Sequence, residues 1–480
     1  MFVSLTFFVF FCVILLLFAC VPKRWRVQVL LMGSILFVGW LSIGALLTVF
    51  LMAVFSWIMG LLIEKAFVQE KKGLVYLWMA AGILMIIGCL GIYKFGPYIV
   101  RRFPIVPNNL SGILQDLVMP VGLSFYAFQA ISYFCDIHAG KVDAEKGFAE
   151  LFLYFIFFPK FVSGPIERKE QFTEQLKQVR RLAFWDRGRL SAGVTYMVYG
   201  YAVKMLLADR AAVGVDLIFR DYSQGDTMLL FLGMLLYTLQ IYCDFAGYSM
   251  IAVGIGKIFG IELTLNFKTP YFAASISEFW RRWHISLSSW LRDYLYIPLG
   301  GNRRGSLRRC LNIGIVFLVC GIWHGSGVHF WFWGLLHGAY SILEVCAKKA
   351  GIRVPNMVGR LLTFLSVAFA WIFFRVESLG QGLRYVARMC TAGFHPAFAY
   401  EKLTKYNLWG IEGIVLVIGI VLLIMAEVQA YHRDTVFPEL ILQQKRLSRF
   451  AFYYAVIILA FVFGIYGTGY QETAFIYMQF

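Results

Sequence analysis

Long apolar runs separated by short basic loops dominate the chain. Val27 to Ile63 is 37 residues long and contains no charged side chain, whereas about 20 residues suffice to cross the hydrocarbon core of a bilayer. This run therefore predicts two helices, with a break near Trp40 to Gly44. Met1 to Cys20 predicts a retained first helix, because its basic residues follow the apolar stretch, whereas those of a cleaved signal peptide precede it.

Further apolar segments of helical length recur along the rest of the chain. They are Leu74–Tyr93, Leu117–Phe134, Phe148–Pro159, Gly193–Ala208, Met228–Phe245, Asn312–Trp323, Phe330–Cys346, Leu361–Phe374, Leu408–Met425 and Phe450–Gly467. The segments that begin at Phe148 and Asn312 are short for a full crossing, and we interpret them as re-entrant helices. The pattern predicts an all-α polytopic membrane protein with about 10–13 transmembrane or re-entrant helices in a single membrane domain over residues 1–480.

Composition excludes most other classes of protein. Apolar residues make up 60% of the chain and charged residues 15%, whereas soluble domains contain about 45–50% and 25%. The net charge is +17, from 44 Lys and Arg against 27 Asp and Glu. In a multi-pass protein such an excess marks cytoplasmic loops that face anionic lipid. We therefore expect membrane lipid and no nucleic acid as a partner, and the basic loop Pro22–Arg26 predicts that the N-terminus lies outside.

One histidine ends an apolar run among glycines. The segment Cys320–Gly327 reads Cys-Gly-Ile-Trp-His-Gly-Ser-Gly and contains His324. An ionisable group at membrane depth is costly, so it indicates a functional site. Burial keeps an imidazole neutral, and a neutral imidazole can act as a general base. The alternative for His324 is a polar residue packed between helices.

A second histidine lies in a tryptophan-rich segment. Around His284, the apolar residues of Ser277–Tyr296 recur at three- and four-residue steps, which predicts an amphipathic helix at the membrane interface. The alternative for His284 is an interfacial histidine bonded to a carbonyl group. His329 and His337 share a helix face only loosely, and we interpret them as packing or supporting residues. Neither C-x-x-C nor H-E-x-x-H occurs, so no metal is expected.

Several blocks of the sequence resemble the membrane-bound O-acyltransferase (MBOAT) family. Within it they resemble the bacterial alginate O-acetyltransferase type, to which the teichoic-acid D-alanyl transfer protein is related. The blocks are Gly122–Tyr133, Phe157–Ile166, Gln240–Ser249, Phe279–Tyr296, Trp323–Gly325, Trp371–Arg375 and Phe475–Phe480. The resemblance implies helices around a central membrane-spanning cavity. We expect N-terminal helices over 1–116, a catalytic core over 117–347 and C-terminal helices over 348–480.

The resemblance also implies roles for individual residues. His324 matches the family's catalytic histidine and His284 its second active-site position, with Trp283, Ser288, Asp293 and Trp323 as supporting candidates. A dense basic island lies between the two histidines in the sequence. Its arginines, together with Lys268, are candidates for contacts to donor phosphates: Arg303, Arg304, Arg308 and Arg309. The alternative is that these cations only fix the topology by the positive-inside rule.

The expected activity is O-acyl transfer across a bacterial inner membrane. The donor would be acetyl-CoA or another acyl thioester used as a substrate, with no permanently bound cofactor. The acceptor would be an extracytoplasmic polysaccharide or cell-wall hydroxyl, reached through an extracytoplasmic SGNH-type acyltransferase or a small membrane peptide. Three alternatives stay open: D-alanyl transfer to teichoic acid from a carrier protein, a transporter or flippase of an acylated carrier, and a non-catalytic membrane anchor of an export complex.

Overall fold

The computed structural model describes residues 2–102, 117–393, 403–406 and 408–465. In these ranges the regular structure is helical, and the extended backbone pairs only at an isolated antiparallel bridge between Phe267 and Trp283. The predicted all-α polytopic fold class is confirmed. The Phe475–Phe480 block lies outside the described residues.

The helices are numbered in chain order. The first nine are α1 (Leu5–Cys20), α2 (Arg26–Leu41), α3 (Ile43–Val68), α4 (Lys72–Arg102), α5 (Leu123–His138), α6 (Phe148–Ile156), α7 (Lys169–Val179), α8 (Arg187–Ala202) and α9 (Asp209–Arg220). The next five are α10 (Thr227–Phe259), α11 (Ile276–Arg282), α12 (Ile285–Leu291), α13 (Ser306–His324) and α14 (Val328–Lys349). The last five are α15 (Asn356–Arg375), α16 (Leu379–Thr391), α17 (Gly410–His432), α18 (Phe437–Leu442) and α19 (Arg446–Phe463).

Among the described residues, seven helices are long and apolar enough to cross a membrane. They are α3, α4, α10, α13, α15, α17 and α19. The 16-residue α1 is apolar but shorter. The helix predicted to begin at Asn312 begins six residues earlier, at Ser306, so Arg308 and Arg309 lie in the first turn of α13. That helix has 19 residues, so its length and hydropathy suit a full crossing better than a re-entrant segment.

The chain divides into two compact units. The N-terminal unit contains Phe2–Leu190 and Ile255–Thr264, and the C-terminal unit contains Ser191–Gly254 and the chain from Leu265 onward. The three-part division at residues 116 and 347 stays a prediction. Both candidate histidines, the basic island and Lys268 belong to the C-terminal unit.

The N-terminal unit shows how the long apolar run is broken. The predicted break near Trp40 to Gly44 falls at Ser42, whose side chain caps α3 by accepting a hydrogen bond from the Ala45 backbone N–H at 3.2 Å. A serine in this position satisfies one of the unpaired N–H groups of a helix start. The cap therefore fixes where α2 ends and α3 begins.

In the C-terminal unit α13 and α14 form an antiparallel hairpin. Gly321 and Gly334 let the two helices approach closely: a Cβ on Gly321 would overlap the backbone of Phe330, and one on Gly334 the backbone of Phe317. The side chains of Lys349 and Ser306 meet at 3.4 Å, so the end of α14 lies beside the start of α13. The hairpin therefore has a basic end and, at the opposite end, the turn after His324.

Candidate active site

The backbone turns sharply at His284. Helix α11 begins at the cap Ser275 and ends at Arg282, and α12 begins at Ile285. Between them His284 adopts a left-handed conformation with φ 43° and ψ 54°. This conformation costs a non-glycine residue roughly 1–2 kcal/mol. The prediction of one continuous amphipathic interfacial helix over Ser277–Tyr296 is therefore wrong, because the chain turns at the histidine itself.

A segment near Asn266 holds this turn in place. The Ile285 backbone N–H donates to the Asn266 carbonyl oxygen at 3.0 Å, and the Ser286 hydroxyl donates to the Asn266 side-chain oxygen at 2.7 Å. The Ser288 hydroxyl donates to the Trp283 carbonyl oxygen at 3.1 Å. These three hydrogen bonds therefore offset the backbone strain at His284. Ser288, a predicted supporting residue, fastens the turn.

The His284 side chain is fully buried among aromatic rings. The edge of the Phe245 ring lies against it at 4.7 Å between centroids. The Trp323 ring lies 6.1 Å away on an almost perpendicular plane. Phe245 belongs to α10 and Trp323 to α13, so three separate stretches of the chain meet at this imidazole.

His324 is the last residue of α13 and is also buried. Its ring centroid lies 4.8 Å from Trp323, 5.1 Å from Trp333 and 5.1 Å from Phe374. Gly325 follows it in extended conformation, where a Cβ would collide with the Phe330 ring. The glycine next to His324 therefore allows an aromatic ring to close over the end of the helix.

The structure places His284 near Trp323, the residue that precedes His324. The Trp323 indole contacts both His284 and His324, and Trp371 connects Trp283 and Trp333 with centroid distances of 5.0 and 5.5 Å. We call the following group the aromatic cluster: Phe245, Trp283, Trp323, Trp333, Trp371 and Phe374. An apolar, aromatic surround with a few polar groups is typical of small-molecule sites.

The aromatic cluster lies far along α13 from the basic end. The 18 steps from Ser306 to His324 correspond to about 27 Å. Arg303, Arg304 and Arg308 are exposed at or just before the start of that helix, and Arg309 is half-buried in its first turn. A donor that touched both the island and His324 would have to extend over most of the thickness of the hydrocarbon core.

Two further predicted site residues have partners of their own. Asp293 accepts a hydrogen bond from its neighbour Arg292 at 2.8 Å, within a one-turn π-helical segment. Lys268 forms an ion pair with Asp434 at 2.9 Å.

His337, expected as a packing or supporting residue, is fully buried, and its Nδ1 accepts a hydrogen bond from Trp280 Nε1 at 3.3 Å. Other residues around the site were not predicted. Phe245 and Phe374 belong to blocks that resembled the family, and that resemblance was the available signal. Among the described residues, no group of three or more His, Cys, Asp or Glu side chains could hold a metal ion.

A buried ion pair next to Phe245 was also missed. Lys204 Nζ lies 2.7 Å from Asp209 and 2.5 Å from Asp244, and all three side chains are at least nine-tenths buried. Lys204 belongs to a π-helical segment, Val203–Ala208, which joins α8 to α9. Since Asp244 precedes Phe245 on α10, this triad fixes the helix that carries the ring against His284.

Comparison with known proteins places this arrangement in a class. The profile described as MBOAT, membrane-bound O-acyltransferase family, matches residues 144–376. The chain is 33% identical over 421 residues to the "Probable alginate O-acetylase AlgI" of Pseudomonas syringae pv. tomato, covering 86% of this chain and 78% of the relative. It is 30% identical over 396 residues to the "Peptidoglycan O-acetyltransferase" of Helicobacter pylori, covering 77% and 73%.

A related branch carries a different acyl group in its name. The "Teichoic acid D-alanyltransferase" of Bacillus subtilis is 26% identical over 326 residues, covering 64% of this chain and 79% of the relative. Together, the apolar helices and the relatives define a multi-pass membrane enzyme that transfers acyl groups. The chain belongs to the membrane-bound O-acyltransferase family.

Proposed function

We propose that this acyltransferase moves an acetyl group from a cytoplasmic thioester to an extracytoplasmic hydroxyl of a polysaccharide or of the cell wall. The observation that carries the proposal is the pair of buried imidazoles, His284 and His324, on the same Trp323 ring. The names of the alginate and peptidoglycan relatives support acetyl as the group transferred.

His324 acts as the general base in this proposal. Its imidazole takes the proton of the acceptor hydroxyl, and the oxygen attacks the thioester carbonyl carbon. The carbon–sulfur bond then breaks, and the leaving thiolate takes this proton from His324, which returns to the neutral form. His284 orients the thioester and stabilises the negative charge that develops on its oxygen. The aromatic cluster excludes water, which would otherwise compete with the acceptor.

The depth of the site supports transfer across the membrane. The basic end of the α13–α14 hairpin faces the cytoplasm if the positive-inside rule holds. His324 then lies about 27 Å along α13 toward the opposite face. The donor would enter from the basic side and the acceptor from the other side. The same rule, applied to the basic loop after α1, predicts that the N-terminus lies outside. The membrane in this proposal is the inner membrane of a bacterium.

The basic island serves as an outer capture surface for the anionic donor in this proposal. Arg303, Arg304, Arg308 and Arg309 attract phosphates from solution, and a positive-inside topology role is the alternative for them. An SGNH-type acyltransferase or a small membrane peptide would receive the acyl group outside. D-alanyl transfer from a carrier protein is the second candidate, and the match to the Bacillus subtilis relative favours it.

A sided assay tests the proposal. The protein is reconstituted into sealed vesicles with labelled acetyl-CoA on the side of the basic loops. An oligosaccharide acceptor and an SGNH-type acyltransferase are placed on the other side. We expect label on the acceptor with wild-type protein and none with His324→Ala at equal protein content. In a control, donor and acceptor are both placed on the side away from the basic loops. Equal transfer there would contradict movement of the acyl group from the basic side to the other side. D-alanyl label on the acceptor, with no acetyl label, would favour the second candidate.

A further inference from the structure

A second cationic site lies where the end of α11, the start of α15 and the end of α17 meet. Two guanidinium groups, those of Arg282 and Arg360, each lie 5.0 Å from the centroid of the Tyr431 ring. Arg360 also donates to the Tyr431 hydroxyl at 3.2 Å. Asp434 lies 2.9 Å from Lys268 Nζ and 3.8 Å from Arg282. We call these five residues the Tyr431 cluster.

The Asp434 carboxylate is held loosely. Its side chain is 75% exposed, and it lies in the turn after α17, in a left-handed conformation with φ 48°. A hydrogen bond from Lys268, its ion-pair charge and the more distant Arg282 lower the pKa of Asp434. The group is therefore a charged anion, but nothing buries it. Few contacts would be lost if it moved aside.

Glu278 is a carboxylate of the opposite kind. It lies 2.9 Å from Arg282 Nε and also accepts a hydrogen bond from the Ala274 backbone N–H at 2.8 Å. Its side chain is 19% exposed. Glu278 is therefore the fixed structural partner of Arg282. Of the two carboxylates paired with Arg282 in the described part of the chain, Asp434 is the more exposed, and it is the one that an incoming anion can displace.

We propose that Asp434 occupies a phosphate-binding site, and that the phosphate ester of the acyl donor displaces it and binds Lys268, Arg282 and Arg360. This inference rests on the proposed function in naming a thioester donor. Arginine guanidinium groups match the geometry of phosphate oxygens, and those of Arg282 and Arg360 are already held 5.0 Å from the Tyr431 ring centroid. A site that is built before the ligand arrives loses less entropy when it binds.

The location suits a donor whose reactive end reaches the histidines. Arg360 and Trp371 lie on α15, 11 steps or about 16 Å apart. Trp371 belongs to the aromatic cluster. An extended pantetheine arm has a length of this order. The Tyr431 cluster also includes Arg282, which is two residues before His284 in the chain, so it is a suitable anchor for the phosphate end of the donor.

A second path connects the same two places. The Lys268 backbone N–H donates to the Arg282 carbonyl oxygen at 3.0 Å, and Phe267 pairs with Trp283 in the isolated bridge. His284 follows Trp283 directly. The two cations therefore stand on the backbone stretch that also sets the position of the second candidate histidine.

Binding of coenzyme A without an acyl group tests the site apart from catalysis. The full-length protein in phosphatidylcholine nanodiscs is titrated with coenzyme A by calorimetry. Removing the competing carboxylate with Asp434→Asn should tighten binding about two- to fivefold, the range of an exposed ion pair. Lys268→Gln should weaken it roughly tenfold, because a charge-assisted hydrogen bond is lost. The control Lys349→Gln removes an exposed cation at the end of α14 and should change coenzyme A binding less than twofold.

The outcomes separate the phosphate site from the donor. Unchanged or weaker binding in Asp434→Asn, or equal effects of Lys268→Gln and Lys349→Gln, would overturn the proposal. If coenzyme A does not bind but inorganic pyrophosphate follows the same order of variants, the phosphate site stands and the proposed donor fails. Nanodiscs with phosphatidylglycerol form the lipid arm. Phosphatidylglycerol binding that Lys268→Gln weakens, together with coenzyme A binding that Lys268→Gln leaves unchanged, would assign the site to a lipid headgroup and overturn the donor assignment.

Discussion

A methyl group at Gly321 should push the α13–α14 hairpin apart at the active site. In Gly321→Ala the added Cβ would lie less than 3.0 Å from the Phe330 carbonyl oxygen and 3.2 Å from both its carbonyl carbon and Trp331 Cα. All three are backbone atoms of the facing helix, so no side chain can rotate away. Gly321 is one turn before His324, and Phe330 contacts Phe374, which in turn contacts His324.

The displacement sets the size of the effect. Ordinary van der Waals contact begins at 3.4 Å, so the helices must separate by about 1 Å at this level. Overpacking of this kind costs roughly 1–3 kcal/mol of stability. A misplacement of 1 Å near reacting groups can lower the rate about a hundredfold. We therefore expect a loss of activity of roughly tenfold to a hundredfold, with the protein still folded.

Gly314→Ala is the matched control, because it makes the same change on the same helix. No atom lies within 4 Å of a Cβ at Gly314, and alanine favours a helix over glycine by roughly 0.5–1 kcal/mol. Both variants are purified in detergent and compared by thermal unfolding and by the rate of acyl transfer. We expect Gly321→Ala to lose both thermal stability and acyl-transfer activity. Gly314→Ala should lose neither. Equal behaviour of the two variants would refute the reasoning about close helix packing.

Three further predictions follow from the same unit. His284→Asn should keep the fold, because asparagine tolerates left-handed backbone, so its circular dichroism should match wild type. Its kcat should fall at least tenfold, and an unaltered kcat would show that His284 is not an active-site residue. Lys204→Met should lower the unfolding free energy by about 3–5 kcal/mol, because Asp209 and Asp244 lose their buried cation, and a shift under 1 kcal/mol in denaturant titration would contradict this. Replacing Arg303, Arg304, Arg308 and Arg309 together with Gln should raise the donor KM less than tenfold, and only at low salt, because exposed charges are screened; an unchanged KM at low salt would assign them to topology.

Helix existence was predictable because it depends on local composition. The break between α2 and α3 was expected near Trp40 to Gly44 and occurs at Ser42, since an uncharged run of that length exceeds one crossing. Helix ends were harder to predict. Arginines in the first turn of α13 look like loop residues in the sequence, yet exposed cations extend readily from the end of a membrane helix.

The turn at His284 could not be predicted from periodicity. Apolar positions continue at helical spacing from Trp280 to Trp290, on both sides of the turn. The deciding contacts come from Asn266, which is 18 residues earlier in the chain. A left-handed histidine is therefore set by tertiary contacts, and local propensity gives no sign of it.

The candidate site was predictable in part for the same reason. His324 among glycines indicated a special position from local chemistry alone. That Trp323 lies against both imidazoles depends on how α10, α12 and α13 pack, which the spacing of residues does not encode. The ion pair between Lys268 and Asp434 joins residues 166 positions apart in the sequence, so it too required the fold.

Thiol release by the purified enzyme shows whether the protein transfers an acyl group from a thioester with His324 as the general base. Acetyl-CoA and an oligosaccharide acceptor are mixed with wild-type protein and with His324→Ala, and free coenzyme A is measured against time. Loss of a general base lowers the rate about 10²–10⁴-fold. The account predicts acceptor-dependent thiol release by wild type and a loss of that size in His324→Ala, at matched expression and thermal stability. Undiminished release by His324→Ala, or passage of an acylated carrier through the membrane without thiol release, would contradict it.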